Sequence, residues 1–224
     1  MNLDIVNKKL SKLSSIDRIN YLHSIFKDQL FALSSAGIDS GLMIDHLLKS
    51  KNNIPVLHID TGFLPKETIE FKNELEKYYK NKFIRLYPNK EDLRDIKESK
   101  LWVYDPDLYS KMTKIEPLNS AIRRLNIKAL MSGARSDQNE NRASLNFVEK
   151  GINGELRVYP FLDWSSGMVH DYINNNNLPV HKLKAMGFDS VGDAHSTLPG
   201  ENRAGRQIYE CGINVVSGKP IIEE

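Results

Sequence analysis

Five short apolar runs punctuate the chain: QLFALS (29–34), PVLHID (55–60), KFIRLY (82–87), KALMSG (128–133) and LRVYPF (156–161). Longer segments of helical period separate them, and that alternation is the pattern of a parallel sheet with crossover helices. The spacing predicts a helix over 39–50, with Leu42, Met43, His46 and Leu47 on one face, and others over 68–80, 118–126 and 165–174. Pro55 suits the first position of a strand, and Pro88 stops the third. The helix from Ser165 begins on a serine cap and ends in NNNN. Residues 89–113 are charged, then aromatic, and read as either helix or lid. Beyond about residue 196 the hydrophobic period fades while Gly200, Gly205, Gly212 and Gly218 recur. The expected fold is α/β: a single Rossmann-like domain over 1–198, its mostly parallel sheet flanked by helices. A C-terminal tail over 199–224 is expected to be mobile.

At 224 residues, with 40% hydrophobic and 27% charged residues, the composition is that of a soluble globular protein. No apolar run approaches the roughly 20 residues that span a bilayer, and the N-terminal segment lacks a signal-peptide core. The single cysteine, Cys211, cannot form an internal disulfide, so a cytoplasmic location is expected. A net charge of +2 gives no reason to expect a nucleic-acid polymer as partner. The charge is uneven, however. Residues 111–142 hold seven Lys/Arg against three acids. Arg123, Arg124 and Lys128 read as a solvated helix face. Arg135 and Arg142 flank a polar stretch just after an apolar strand, where open α/β sheets hold ligands.

SSAGIDSG (34–41) lies where the first strand turns into a helix. Gly37 lets the backbone pass close to an anion, and Ser34, Ser35 and Ser40 add hydroxyl donors. The helix N-terminus supplies unpaired amides and a favourable dipole end. Asp39 would cap that helix or touch a metal carried by a nucleotide. The six histidines show no metal-ligand spacing, so no metal site is expected.

SSAGIDS resembles the Ser-x-Gly-x-Asp-Ser signature of the adenine nucleotide α-hydrolase-like superfamily, the PP-loop proteins. HIDTGFLPKET (58–68), KLW (100–102), KIEPLN (114–119) and SGARSDQNENRASL (132–145) follow in the order found in its phosphoadenylyl sulfate reductase branch. YPFLDW (159–164), SVGDAHST (190–197), PGENRAGR (199–206) and ECGI (210–213) complete the series. The resemblance implies reduction of phosphoadenylyl or adenylyl sulfate. A cysteine thiolate, here Cys211, would take the sulfuryl group as S-sulfocysteine, and thioredoxin or glutaredoxin would release sulfite. Arg203 and Arg206 would favour the thiolate and neutralise sulfate and leaving phosphate. Lys114 would be a point charge near the sulfuryl group, with Arg135, Arg142 and Gln138 lining the anion pocket. Asp60, Thr61 and Gly62 match a nucleoside contact, although Asp60 is equally a helix-capping acid. His195 lies inside a matching motif and is a candidate pocket residue. A homodimer is implied by the resemblance alone.

Three departures qualify the match. The paired cysteines of iron–sulfur members are missing, so no cluster cofactor is expected. This favours the cluster-free reductases, with a cluster-free adenylyl sulfate reductase as the nearby alternative. Asn214 stands where the family tail has a histidine. Asp39-Ser40 keeps an ending typical of ATP-cleaving relatives, which leaves a PP-loop ATP pyrophosphatase, or a nucleotide-binding protein without reductase activity, as further alternatives.

Overall fold

Helical period in the first twenty-six residues forms two helices, α1 (Leu3–Leu10) and α2 (Ser15–Phe26), which bury Val6, Leu10, Ile19 and Leu22. A sheet–helix alternation follows: β1 (Leu30–Leu33), α3 (Ser40–Ser50), β2 (Val56–Ile59), α4 (Lys66–Tyr79) and β3 (Ile84–Leu86). The segment open between helix and lid forms three short helices, α5 (Lys90–Ser99), α6 (Leu101–Tyr104) and α7 (Pro106–Ser110). A π-helical turn (Lys111–Ile115) then leads into α8 (Glu116–Arg124) and β4 (Ala129–Ser132). The order ends with α9 (Glu140–Ala143), β5 (Val148–Lys150), β6 (Leu156–Val158) and α10 (Ser166–Asn175). This computed structural model describes residues 1–200; Arg203, Arg206, Cys211, Asn214 and nearly all of the expected tail lie outside them.

The sheet runs β3-β2-β1-β4-β6-β5. All pairings are parallel except β5 with β6, which is antiparallel. Side-chain alternation along each strand divides the core. Leu30, Ala32, Val56, Ala129 and Met131 face the layer built by α2, α3 and α4. Phe31, Leu57, Ile59 and Leu130 face α8 through Leu118, Ala121 and Ile122. Helices therefore cover both faces, as expected.

Two expectations are corrected. The last expected strand, 156–161, ends at Val158: one further rung, Tyr159 N–H to the Phe147 carbonyl at 2.9 Å, follows it, and Pro160 has no N–H to continue the ladder. The expected strands also omitted β5, whose three residues include one buried apolar side chain. This edge strand is held from outside by a side chain. The Asn7 amide donates to the Val148 carbonyl at 3.0 Å and accepts from the Val148 N–H at 2.8 Å.

Arg18 fastens the N-terminal helices to the sheet. Buried over the Phe147 ring, it donates to the carbonyls of Leu10 (2.9 Å) and Pro160 (2.8 Å) and forks onto Asp163 at 2.6 and 2.7 Å. Arg18→Ala takes the guanidinium donor from the buried Pro160 carbonyl, leaves the Leu10 carbonyl only the Leu13 N–H, and is expected to lower the unfolding free energy by about 3 kcal/mol. Asp163 is half-exposed, so Asp163→Asn should cost less than about 1 kcal/mol. Urea unfolding of both variants checks the difference.

Candidate functional site

β1 pairs with β2 on one side and β4 on the other. The chain leaves β1 and β4 in opposite directions and opens a crevice at their carboxyl ends, where open α/β sheets bind ligands. SSAGIDSG lies there. The Ser34 N–H continues the ladder to the Leu57 carbonyl at 2.9 Å, and its hydroxyl accepts from the Ala36 N–H at 3.2 Å. Ala36 adopts φ +50°, and Gly37 follows in a crowded place. A Cβ at Gly37 would stand 3.2 Å from Ser35 Oγ, and one at Gly41 would stand 3.1 Å from the Pro179 carbonyl. Glycine at both positions lets the turn pass beneath its neighbouring loops and start α3 facing the crevice.

A cavity of about 250 Å³ fills the crevice. Ser34, Ser35, Gly37, Asp39, Ser40, Thr61, Lys114, Arg135, Gln138 and Arg142 line it, so most of the expected site converges. Ile59, Ser132, Gly133 and the loop Asp189–Asp193 complete the wall. The structure does not bring Asp60, Gly62 or His195 to that wall. Asp60 caps no helix; it pairs with Arg85 at 2.5 Å and accepts the Gly62 N–H at 3.0 Å. Gly62, at φ +82°, packs against Leu93. His195 stacks on Trp102 with ring centroids 4.3 Å apart and hydrogen-bonds the Tyr109 hydroxyl at 3.0 Å.

The cavity's positive charges already have partners. Asp39 makes no capping bond to α3; its carboxylate receives Arg135 Nη1 at 2.7 Å, while Arg135 Nε reaches Asp137 at 3.0 Å. Arg135 is itself buried. Arg142 donates to the Gln138 side-chain carbonyl, which also accepts the Arg135 N–H at 3.0 Å. Lys114, on the π-helical turn, pairs with Asp193 at 2.7 Å. Asp193 is the site residue that the sequence reading missed. Its signal was an acid two residues before His195 in a loop, SVGDAHST, with no other acid. Burial alone would raise the Asp193 carboxyl, but the Lys114 charge and the hydrogen bonds from Lys114 and Thr61 outweigh it and hold its pKa below the ordinary value.

A second hollow of about 450 Å³ adjoins the first across Asp39, Arg135 and Gln138. His181 lies on its wall, fully buried. Its Nδ1 accepts the Leu183 N–H at 3.2 Å, which leaves Nε2 to donate to Thr68 Oγ1 at 3.1 Å. Burial pushes its pKa down to about 4. Among the described residues no group of His, Cys, Asp and Glu is arranged to hold a metal ion, and no helix is long and apolar enough to cross a membrane.

Strand order, the strand-to-helix turn over 34–41 and the cavity at the switch point together define an open, doubly wound α/β protein. The phosphoadenosine phosphosulfate reductase domain matches residues 29–199. A phosphoadenosine 5′-phosphosulfate reductase of Buchnera aphidicola is 33% identical over 95% of this chain and 91% of its own length. That of Saccharomyces cerevisiae is 34% identical over 96% and 90%. The chain belongs to the phosphoadenosine phosphosulfate reductase family. The crystal structure of phosphoadenylyl-sulfate reductase from Candida auris, a phosphate complex, superposes with a TM-score of 0.78 at 26% identity, covering 87% of this chain and 95% of that one. A Candida glabrata FMN adenylyltransferase in complex with ATP shares the fold at a TM-score of 0.62 and 17% identity, over 84% of this chain and 63% of that one.

The His181 shift fixes the sign of an acid response. Its folded pKa of about 4 lies below the ordinary 6.5, so the folded state binds fewer protons than the unfolded state as pH falls. The stabilisation is whole above pH 6.5 and is lost towards pH 4, about 3 kcal/mol in all. Denaturant unfolding at stepped pH should show that decline, and His181→Gln should flatten it.

Proposed function

We infer that this protein reduces phosphoadenylyl sulfate to sulfite and adenosine 3′,5′-bisphosphate, the reductive step of sulfate assimilation. One observation carries the reading. Residues that the family resemblance assigns to substrate, from separate places in the chain, line a single cavity at the β1/β4 switch point. Ser34, Gly37 and Ser40 offer the turn's donors to a phosphate, while Lys114, Arg135 and Arg142 supply charge.

The chemistry assigned to Cys211 follows from the substrate. A Cys211 thiolate attacks the sulfuryl sulfur. A sulfur–oxygen bond breaks, the nucleotide leaves with that oxygen, and S-sulfocysteine remains. A thiolate of thioredoxin or glutaredoxin then attacks Cys211 Sγ and expels sulfite with the bonding pair. The second thiol of the donor resolves the mixed disulfide, so two electrons pass from dithiol to sulfur and Cys211 returns as thiol. One cysteine suffices because the resolving thiols come from the donor protein, and it cannot furnish a set of cysteine ligands for a cluster. Arg203 and Arg206, five to eight residues before Cys211, are assigned to the thiolate and the departing phosphate. The protein is proposed to act in the cytoplasm, without cofactor, as a homodimer.

Purified protein given thioredoxin and phosphoadenylyl sulfate is expected to release sulfite and the bisphosphate, and to work less well on adenylyl sulfate. Cys211→Ser should abolish release and leave bisphosphate binding within about threefold, since it removes a bond-forming atom and no binding group. Undiminished sulfite from that variant overturns the mechanism. Conversion of ATP to AMP and pyrophosphate by the wild type supports a PP-loop pyrophosphatase instead.

A further inference from the structure

Of the three carboxylates on the cavity wall, Asp39, Asp189 and Asp193, only Asp193 is fully buried. A carboxylate there is costly. It loses its water, and it faces a pocket that would take a polyanion. Its contacts explain its presence. One oxygen meets Lys114 Nζ at 2.7 Å, and the other accepts the Thr61 hydroxyl at 2.5 Å. The loop beneath it is stitched in place. The Ala194 N–H bonds the Phe63 carbonyl at 2.9 Å, and the Thr197 hydroxyl bonds the Asp193 carbonyl at 2.9 Å. The Tyr109 ring closes the other side, its centroid 5.5 Å from the ammonium.

Lysine carries its charge on a flexible four-carbon stem, so by itself it is a poorly aimed point charge. Lys114 is buried and lines the cavity, and its ammonium has three donors. Asp193 Oδ2 lies 2.7 Å from it as an ion pair. We propose that Asp193 is a positioning residue for the reaction, acting through Lys114: it holds the ammonium on the cavity wall so that the remaining donors meet the sulfuryl or bridging oxygen as charge develops there. This rests on the function proposed above. The pairing makes the position of the charge, rather than its mere presence, the contribution of this corner of the site, because preorganised charge needs no rearrangement when the bond breaks.

Two simple views of Asp193 predict opposite outcomes. If it only adds negative charge to an anion pocket, neutralising it should tighten nucleotide binding and leave turnover alone. If it aims Lys114, neutralising it should lower kcat while binding changes little. The test compares sulfite release and calorimetric binding of adenosine 3′,5′-bisphosphate for the full-length wild type, Asp193→Asn, Lys114→Met and the double variant. Asp193→Asn is expected to lose about 10²-fold in kcat, with bisphosphate affinity within about threefold of wild type. In the Lys114→Met background Asp193→Asn should cost nothing further, since a residue acting through another loses its effect with it. An unchanged kcat, a loss confined to KM, or additive losses in the double variant each overturn the positioning role. Thr61→Val removes the hydroxyl that fixes the second carboxylate oxygen, and with it the acceptor of the Phe63 N–H at 3.2 Å, and reports if Asp193→Asn does not fold. A drop in kcat of about tenfold is expected there, whatever the change in affinity that follows from the place of Thr61 on the cavity wall, and an undiminished kcat overturns the proposal. A wild type that binds the bisphosphate but yields no sulfite overturns the proposed function, and this role with it. A working wild type beside an equally active Asp193→Asn overturns the positioning role alone.

Discussion

The four residues of β1 lie in parallel register against the four of β4, from Leu30 opposite Ala129 to Leu33 opposite Ser132. Everything at the site follows from that pairing. β1 hands the chain to α3 and then β2 on one side, and β4 hands it towards α9 and β6 on the other. Two diverging connections cannot close over the ends of the strands they leave, so the sheet keeps a gap there. The anion turn fills one wall of the gap and SGAR the other, although ninety-six residues separate Asp39 from Arg135. The buried, alternating faces of the two strands hold this register, because a slip of one residue would drive Phe31 and Leu130 into the wrong layer.

The charges around the cavity form compensated pairs rather than a bare basic patch. Arg135 answers to Asp39 and Asp137, Lys114 to Asp193, and the lysine at position 184 to Asp189. Such an arrangement spares the free protein the cost of unpaired buried cations. On the function proposed above, substrate entry becomes an exchange of partners, in which an incoming sulfate or phosphate competes with resident carboxylates for the same donors. Asp39 illustrates the point. Its carboxylate is held by Arg135 at 2.7 Å and serves as an internal counter-ion.

Much of the fold was legible because burial on two faces leaves a strong local trace. β1, β2 and β4 are nearly all apolar, and α3 and α4 carry clear helical period. The misses have physical reasons. β5 contains VEK, a strand made by its pairing with β6 and by the Asn7 amide rather than by its own composition. α5 buries only Ile96 and is otherwise strongly polar, so few apolar residues mark its inner face. In the site, cavity-lining residues were legible through the order of motifs, since Ser34, Gly37, Ser40, Thr61, Lys114, Arg135, Gln138 and Arg142 meet in one cavity. The sequence marks His195 by its place inside a matching motif and assigns Asp193 no role. Only the three-dimensional neighbours, Lys114 and Thr61, give that carboxylate its reason.

The amide of Asn7 has a consequence for how these molecules meet one another. A sheet edge offers a row of free peptide groups on which another chain can continue the sheet. At β5 one side-chain amide mimics a peptide unit, donating to and accepting from Val148 as a seventh strand would. α1 thus lies where a foreign strand would have to begin. A molecule whose N-terminal helix detaches would uncover that template, so the docked α1 shields the β5 edge from the strand of another copy.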